Sequence, residues 1–218
     1  MAQTKLVISS KNYSSWALRG WLLCKFAGLD FEEVVIPPDD PSMRAEILLL
    51  SSSFLVPKLL HDGLEVWDTL AIAEYLNELK PEAGLLPKDR VQRARCRSIS
   101  GEMHQGFSSL RAALPLNIHS HHPGYKVYSG AKADIERITT IWRENIETYG
   151  GPYLFGKTPT MADAMYAPVA SRFVTYDVKL DPVSARYRDT IMALPAMQEW
   201  VEGAKAEPQE IPEFEGEF

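Results

Sequence analysis

The chain has 218 residues, 45% of them hydrophobic and 24% charged, with a formal net charge of −6. That length suffices for one large domain or two small ones with a real core, and the acidic balance, with no Lys/Arg run, argues against a nucleic-acid-binding surface. The two cysteines, Cys24 and Cys96, suggest neither a disulfide framework nor a paired metal motif; with no signal peptide and no run of membrane-spanning length, the expected setting is cytoplasmic and reducing.

Lys5, Leu6, Val7, Ile8 and Ser9 read as a first buried strand. Residues 14–26 read as a helix with Trp16, Leu18, Trp21, Leu22 and Cys24 on its apolar faces and Gly28 as its stop. Residues 31–36 read as a second strand, which a right-handed crossover makes parallel to the first. Pro37, Pro38 and Pro41 break the chain before a short helix over residues 43–49. Residues 57–61 and 65–67 flank Asp62 and Gly63, a strong hairpin signal, and a helix over 68–80 closes the unit. Residues 81–88 read as a linker.

After it the pattern is helical. Residues 89–113 form one long Arg-rich candidate with Ala94, Ile99, Met103 and Phe107 at its apolar or small positions. A polar loop with His119, His121 and His122 follows; no Cys or carboxylate joins these at a ligand spacing, so a solvated loop is expected rather than a metal site. Residues 131–149 carry Ile135, Ile138, Ile141, Trp142 and Ile146 at helical spacing. Thr160-x-x-Asp163 has the spacing of a capping box and starts a helix running towards Tyr176. A last helix begins at Leu194, and from Glu207 five Glu and two Pro leave the tail loose at its end.

Two runs are the most informative. Leu55-Val56-Pro57-Lys58-Leu59-Leu60 reads as a loop leading into a strand, and Val66-Trp67-Asp68-Thr69-Leu70 as a strand giving way to a helix. An extended backbone beside Pro57 can pair with a peptide main chain. Helix-start amides plus a hydroxyl can grip a carboxylate. The purely structural alternative is a proline-started strand and a helix capped by Asp68 or Thr69, and both can hold at once.

This pairing resembles the glutathione-binding half of the glutathione transferase superfamily, where a cis Val-Pro peptide precedes a strand and an acidic residue or Gln followed by Ser or Thr opens the third helix. The Thr160/Asp163 box, with Leu154, Phe155 and Gly156 before it, extends the resemblance over nearly the whole chain. The likeness is to bacterial, serine-type members of the zeta or maleylacetoacetate isomerase kind. It implies an α/β thioredoxin-like domain with a mixed four-stranded sheet over residues 1–82. An all-α domain over 88–218 then carries the electrophile pocket. It also implies glutathione as cosubstrate, a homodimer, and no metal or redox cofactor.

Under that resemblance the start of the first helix must stabilise a thiolate. The residues there are Asn12, Tyr13, Ser14 and Ser15; without it, Asn12 or Ser14 is a helix cap. The zeta class has a Ser-Ser-Cys-Ser-Trp run with an Arg three residues after the Trp. Aligning Trp16 and Arg19 to it puts Asn12 at the catalytic Ser, Ser14 at the Cys and Ser15 at the last Ser. The candidate order is Ser14, as a hydroxyl at the helix start, then Asn12, then Ser15. Val56, Pro57, Asp68 and Thr69 are the implied glutathione ligands, with Arg44 and Lys58 as nearby cations. Tyr13, Met103, Phe107 and Arg111 are pocket candidates, the last three on one helical face, although Met103 and Phe107 serve equally as interhelical core and Arg111 as a surface ion pair. Arg172 is a further possible pocket cation. Three functions follow: a glutathione S-transferase, a glutathione-dependent cis–trans isomerase, and a non-catalytic binding module on the same fold.

Overall fold

The computed structural model describes residues 4–36 and 56–207. The expected helix over residues 43–49 and the candidate ligand Arg44 lie outside the described residues. In chain order the elements are β1 (Lys5–Ile8), α1 (Ser15–Phe26), β2 (Glu32–Val35), β3 (Lys58–His61), β4 (Leu64–Trp67), α2 (Thr69–Leu79), a 3-10 turn (Pro81–Ala83), α3 (Arg90–Gln105), α4 (Ser108–Ala113), α5 (Ser129–Tyr149), α6 (Met161–Thr175), α7 (Pro182–Met192) and α8 (Pro195–Lys205).

The strands form one mixed sheet in the order β2-β1-β3-β4. β1 runs parallel to β2, with Val7 opposite Val34, and antiparallel to β3, with Leu6 opposite Leu59. The β3–β4 hairpin turns through Asp62 and Gly63, both at positive φ (49° and 81°). A two-residue turn needs that backbone to follow the strand twist, and Asp-Gly adopts it readily.

α1 is buried on every side from Ala17 to Cys24, which a helix sandwiched between two layers must be. Trp21, Leu22 and Leu18 join Leu6, Ile8, Leu59, Ile72 and Leu76 in the core. The other side of α1 packs on α6, itself almost wholly buried. Each large apolar side chain taken fully out of water contributes about 1.5–3 kcal/mol. The expected linker is packed as well: Leu85 and Leu86 are buried, and the Met161 amide donates to the Leu85 carbonyl at 2.7 Å.

α1 also bears on the Val56–Pro57 peptide, which is cis, as the resemblance implies. A Cβ built at Gly20 would stand 2.5 Å from Pro57 Cβ and 2.6 Å from its Cγ. Neither a ring nor a helix backbone can yield that much, so Gly20→Ala is expected to destabilise by about 1–3 kcal/mol through overpacking. The same change should shift the loop at Val56, which a thermal melt and a glutathione titration would both register.

Two helical features differ from the sequence reading. The long helix over 89–113 is two helices, because Phe107 takes a left-handed backbone (φ 61°) and the Leu110 amide is claimed by the Asp134 carboxylate of α5 at 2.8 Å. That side chain caps α4 from another element, which no local pattern signals. α7 went unread because few of its side chains are apolar and buried, although Asp181 followed by Pro182 is a standard start signal. The histidine loop is anchored rather than simply solvated: His119 Nε2 lies 2.7 Å from the Ala204 carbonyl, and the His122 ring stacks on Tyr176.

Candidate functional site

The site lies where the starts of α1 and α2 face helices α3, α4 and α6. Ser14 is the N-cap of α1, its Oγ accepting from the Ala17 amide at 3.1 Å. Ser15 points at the helical part instead, where its Oγ accepts from Arg172 Nη2 at 2.8 Å. Asn12 is fully buried. Its Oδ1 accepts from the amides of Ile118 (2.6 Å) and His119 (3.0 Å), which leaves its Nδ2 buried with no hydrogen-bond partner among the described residues. Tyr13 is buried beside them.

The turn bearing Asn12 is held from the far end of the chain. Glu207 accepts from Ser10 Oγ (2.7 Å), the Lys11 amide (2.6 Å) and the Asn12 amide (3.2 Å), and Trp200 Nε1 donates to the Lys11 carbonyl at 2.9 Å. The acidic tail thus begins with an anchored residue.

Asp68 is the N-cap of α2, its Oδ1 accepting from the Leu70 amide at 2.8 Å. Its backbone sits at φ 72°, ψ 133°, a conformation that favours glycine. A non-glycine residue held there costs on the order of 1–3 kcal/mol, and such strain gathers at functional sites. Thr69, next along, is 1% exposed and its Oγ1 has no partner among the described residues. Val56 and Pro57 are buried. Lys58 is ion-paired to Glu65 at 3.1 Å on the hairpin.

Of the pocket candidates, Met103 is fully buried and Phe107 nearly so, both within the hydrophobic core. The break before α4 removes the single helical face they were expected to share with Arg111. Arg111 does reach the site: its guanidinium lies 5.8 Å from the Trp16 ring, and Nη1 lies 3.5 Å from the His104 carbonyl.

Three further residues complete the arrangement, of which the sequence reading gave a role only to Arg172, as a possible pocket cation. Arg19 is fully buried, stacked 4.4 Å from the Trp16 ring, with Nε donating to the Met165 carbonyl at 2.9 Å and both terminal nitrogens without partners among the described residues. Burial, then Arg172 and Arg111, hold its pKa well below the ordinary range. Arg172 is likewise buried and donates to the carbonyls of Leu114 and Pro168 as well as to Ser15, all neutral acceptors; burial first, then Arg111, brings it to about 9, still charged at neutral pH. His104 Nε2 lies 2.9 Å from Asp68 Oδ2, and its ring meets Trp16 edge to face at 5.0 Å. A lone Arg inside an otherwise apolar helix was a readable signal for Arg19. None existed for His104 and Asp68, which lie far apart in sequence.

Among the described residues the site therefore offers unpaired donors at Asn12 and Thr69, a carboxylate at Asp68 and two buried guanidiniums, Arg19 and Arg172, bonded only to neutral acceptors. Such a set complements a ligand with an ammonium, a carboxylate and a soft anion. Among the described residues no group of three or more His, Cys, Asp or Glu side chains could hold a metal ion. No helix among them is long and apolar enough to cross a membrane.

Residues 13–79 match the family model for the glutathione S-transferase N-terminal domain, and residues 93–203 that for the glutathione S-transferase C-terminal domain. A probable maleylacetoacetate isomerase of Caenorhabditis elegans is 27% identical over 202 residues, 90% of this chain and 92% of its own length. Maleylacetoacetate isomerase of Rattus norvegicus is 29% identical over 189 residues, 84% of this chain and 85% of its own. Among solved structures, a glutathione transferase homologue from Burkholderia with bound glutathione superposes with a TM-score of 0.69 at 25% identity, covering 94% of this chain and 100% of that one. Maleylacetoacetate isomerase from Anaeromyxobacter dehalogenans shares the fold, with a TM-score of 0.67 at 22% identity over 96% of this chain and 95% of its own.

Proposed function

The chain belongs to the glutathione S-transferase family, and from that premise we propose that it is an enzyme that binds glutathione and transfers its thiolate to an electrophilic carbon. The observation that carries the reading is the pair of buried donors, Asn12 Nδ2 at the start of α1 and Thr69 Oγ1 next to the strained Asp68 cap, neither with a partner among the described residues. Buried polar groups without partners are rare, and a bound ligand that supplies acceptors accounts for them. Asp68 holds the γ-glutamyl ammonium, Thr69 and the first amides of α2 hold its carboxylate, and the backbone at Val56 beside Pro57 pairs with the tripeptide main chain. Asn12 Nδ2 and the Ser14 hydroxyl donate to sulfur. Ser15 acts through Arg172, to which it is bonded.

Glutathione calorimetry tests this, with Asp68→Ala beside the wild type. Losing a hydrogen-bonded counter-charge is worth about 1.5–3 kcal/mol, so the variant should bind roughly ten- to a hundredfold more weakly. Equal affinity in the two proteins would refute the assignment. Glutathione binding with no turnover across a broad electrophile panel would favour a non-catalytic binding module.

A second reading, glutathione-dependent cis–trans isomerisation, is favoured by one observation: no carboxylate bonds to buried Arg19 or Arg172 among the described residues, so their charge is available to an anionic acceptor. Thiol addition would permit bond rotation, and elimination would return the glutathione. Isomerisation of maleylacetone measured against conjugation of an aryl halide separates the two activities.

The proposed division is a thioredoxin-like unit over residues 1–82 and a helical unit over 88–218 that carries the electrophile pocket. A homodimer is proposed too, supported by Leu64 and Trp67, which stand 54% and 50% exposed on edge strand β4; sedimentation would give its mass. The proposed setting is the cytoplasm, where Cys24 and Cys96 would stay reduced as the free thiols they are, with detoxification the matching role.

A further inference from the structure

His104 reaches from α3 to the one carboxylate assigned to glutathione's ammonium, and nothing in the transfer chemistry above uses it. Its Nε2 lies 2.9 Å from Asp68 Oδ2, so in the neutral ring Nε2 carries the proton and donates. Nδ1 is then a bare acceptor, buried and without a partner among the described residues. Protonation would put a second N–H at Nδ1, where no acceptor waits among the described residues. Among the described residues the charged groups that act on the ring are Asp68 and the guanidiniums of Arg19 on α1 and Arg111 on α4, with Trp16 meeting it edge to face. Burial, then the two arginines, outweigh Asp68 and hold the ring below its ordinary pKa.

We infer that His104 is a positioning residue: as a neutral donor it orients Asp68 while leaving the carboxylate's charge undivided for the γ-glutamyl ammonium, and in acid it becomes the competing cation that displaces glutathione. The inference rests on the reading that Asp68 holds that ammonium. The sign follows from the linkage. Above the His104 pKa the ring is neutral and Asp68 meets one cation, the ligand. Below it, an imidazolium and an ammonium share one carboxylate, so binding glutathione must expel a proton or bear the repulsion. Glutathione's own carboxyls, amine and thiol all titrate outside roughly pH 4.5–7.5, so a slope within that window belongs to the protein.

The test is glutathione calorimetry from pH 7.5 to 5 on the wild type and on His104→Gln, whose side-chain amide can replace the Nε2 donor but cannot ionise. The expected result is about a tenfold loss of wild-type affinity across the range, one pKa unit of coupling. His104→Gln should bind within a few-fold of the wild type at pH 7.5 and keep that affinity at pH 5. Wild-type affinity that is flat with pH overturns the inference, and so does a His104→Gln protein with the wild-type slope. Should His104→Gln fold poorly, a flat wild-type profile still overturns the inference, and His104→Asn serves as the non-ionising control for a sloping one. No binding at any pH would overturn the glutathione reading itself and this inference with it, whereas binding without a slope overturns this inference alone.

Discussion

Replacing Asn12 with Asp and Ser14 with Ala in one protein is expected to cut turnover at neutral pH by roughly 25-fold or more while glutathione still binds. A hydrogen bond to a charged group is worth about 1.5–3 kcal/mol, so two donors to a thiolate account for at least roughly 3 kcal/mol. That equals about two pKa units on the bound thiol. An unperturbed thiol titrates near 8.5, so at neutral pH such a shift removes nearly all of the thiolate. Aspartate at position 12 keeps the acceptor that the Ile118 and His119 amides use and removes the Nδ2 donor; its buried negative charge disfavours the thiolate further and costs stability of its own, which a melt reports. Ser14→Ala also removes the cap on the Ala17 amide, at about 1 kcal/mol of stability, which a melt would report separately. The diagnostic readout is the pH profile of thiolate absorbance in the complex, which should move up by about two units, with turnover recovering at high pH. A double variant with full activity and an unmoved profile would show that neither residue touches the sulfur.

Asp163→Ala is expected to be the most damaging single change to stability, on the order of 3–5 kcal/mol. The side chain is fully buried at the start of α6 and accepts four hydrogen bonds: from the Thr160 amide (2.8 Å), Thr160 Oγ1 (2.9 Å), the Leu154 amide (3.1 Å) and the Tyr187 hydroxyl (3.0 Å). Burial raises the carboxyl pKa, and those four donors pull it back. Truncation leaves the donors buried without an acceptor, each costing about 1–3 kcal/mol where it cannot reorient. For a chain of this size the melting temperature should fall by about 10 °C. Thr160→Ala, which removes one donor of the set, should cost less, about 1 kcal/mol. The consequence for the site is indirect but specific: α6 carries Arg172 and the Met165 carbonyl that receives Arg19. If Asp163→Ala melts within 2 °C of the wild type, roughly the effect of one weak contact, the buried network is not what anchors α6.

Much of the N-terminal part was legible in the residues. Alternating and β-branched runs gave β1 to β4 within a residue or two. Asp62-Gly63 marked the hairpin, and Asp68 marked the start of α2. The Thr160/Asp163 box was legible for the same reason, since both partners lie within one helical turn. The break between α3 and α4 was not, because the carboxylate that makes it belongs to α5. Ser15 ranked behind Ser14 and Asn12 as a donor, and only the structure shows its oxygen accepting from Arg172, far along the chain. Met103 and Phe107 could read as pocket residues or as interhelical core, and the structure buries both in the core.

The division has a physical cause. Helix period, strand alternation, caps and tight turns act over a few residues, so the sequence by itself determined the four strands, most of the helices and the two positions, Pro57 and Asp68, around which the site forms. The pairing of His104 with Asp68, the bond from Glu207 back to residues 10–12, the gathering of Arg19, Arg111 and Arg172, and the room that Gly20 leaves for Pro57 all join residues far apart in the chain. Such contacts are made only when the whole topology closes, and their energies depend on burial that no local window contains. Tertiary structure alone therefore decided which candidate donors stay unpaired and which charges stay uncompensated.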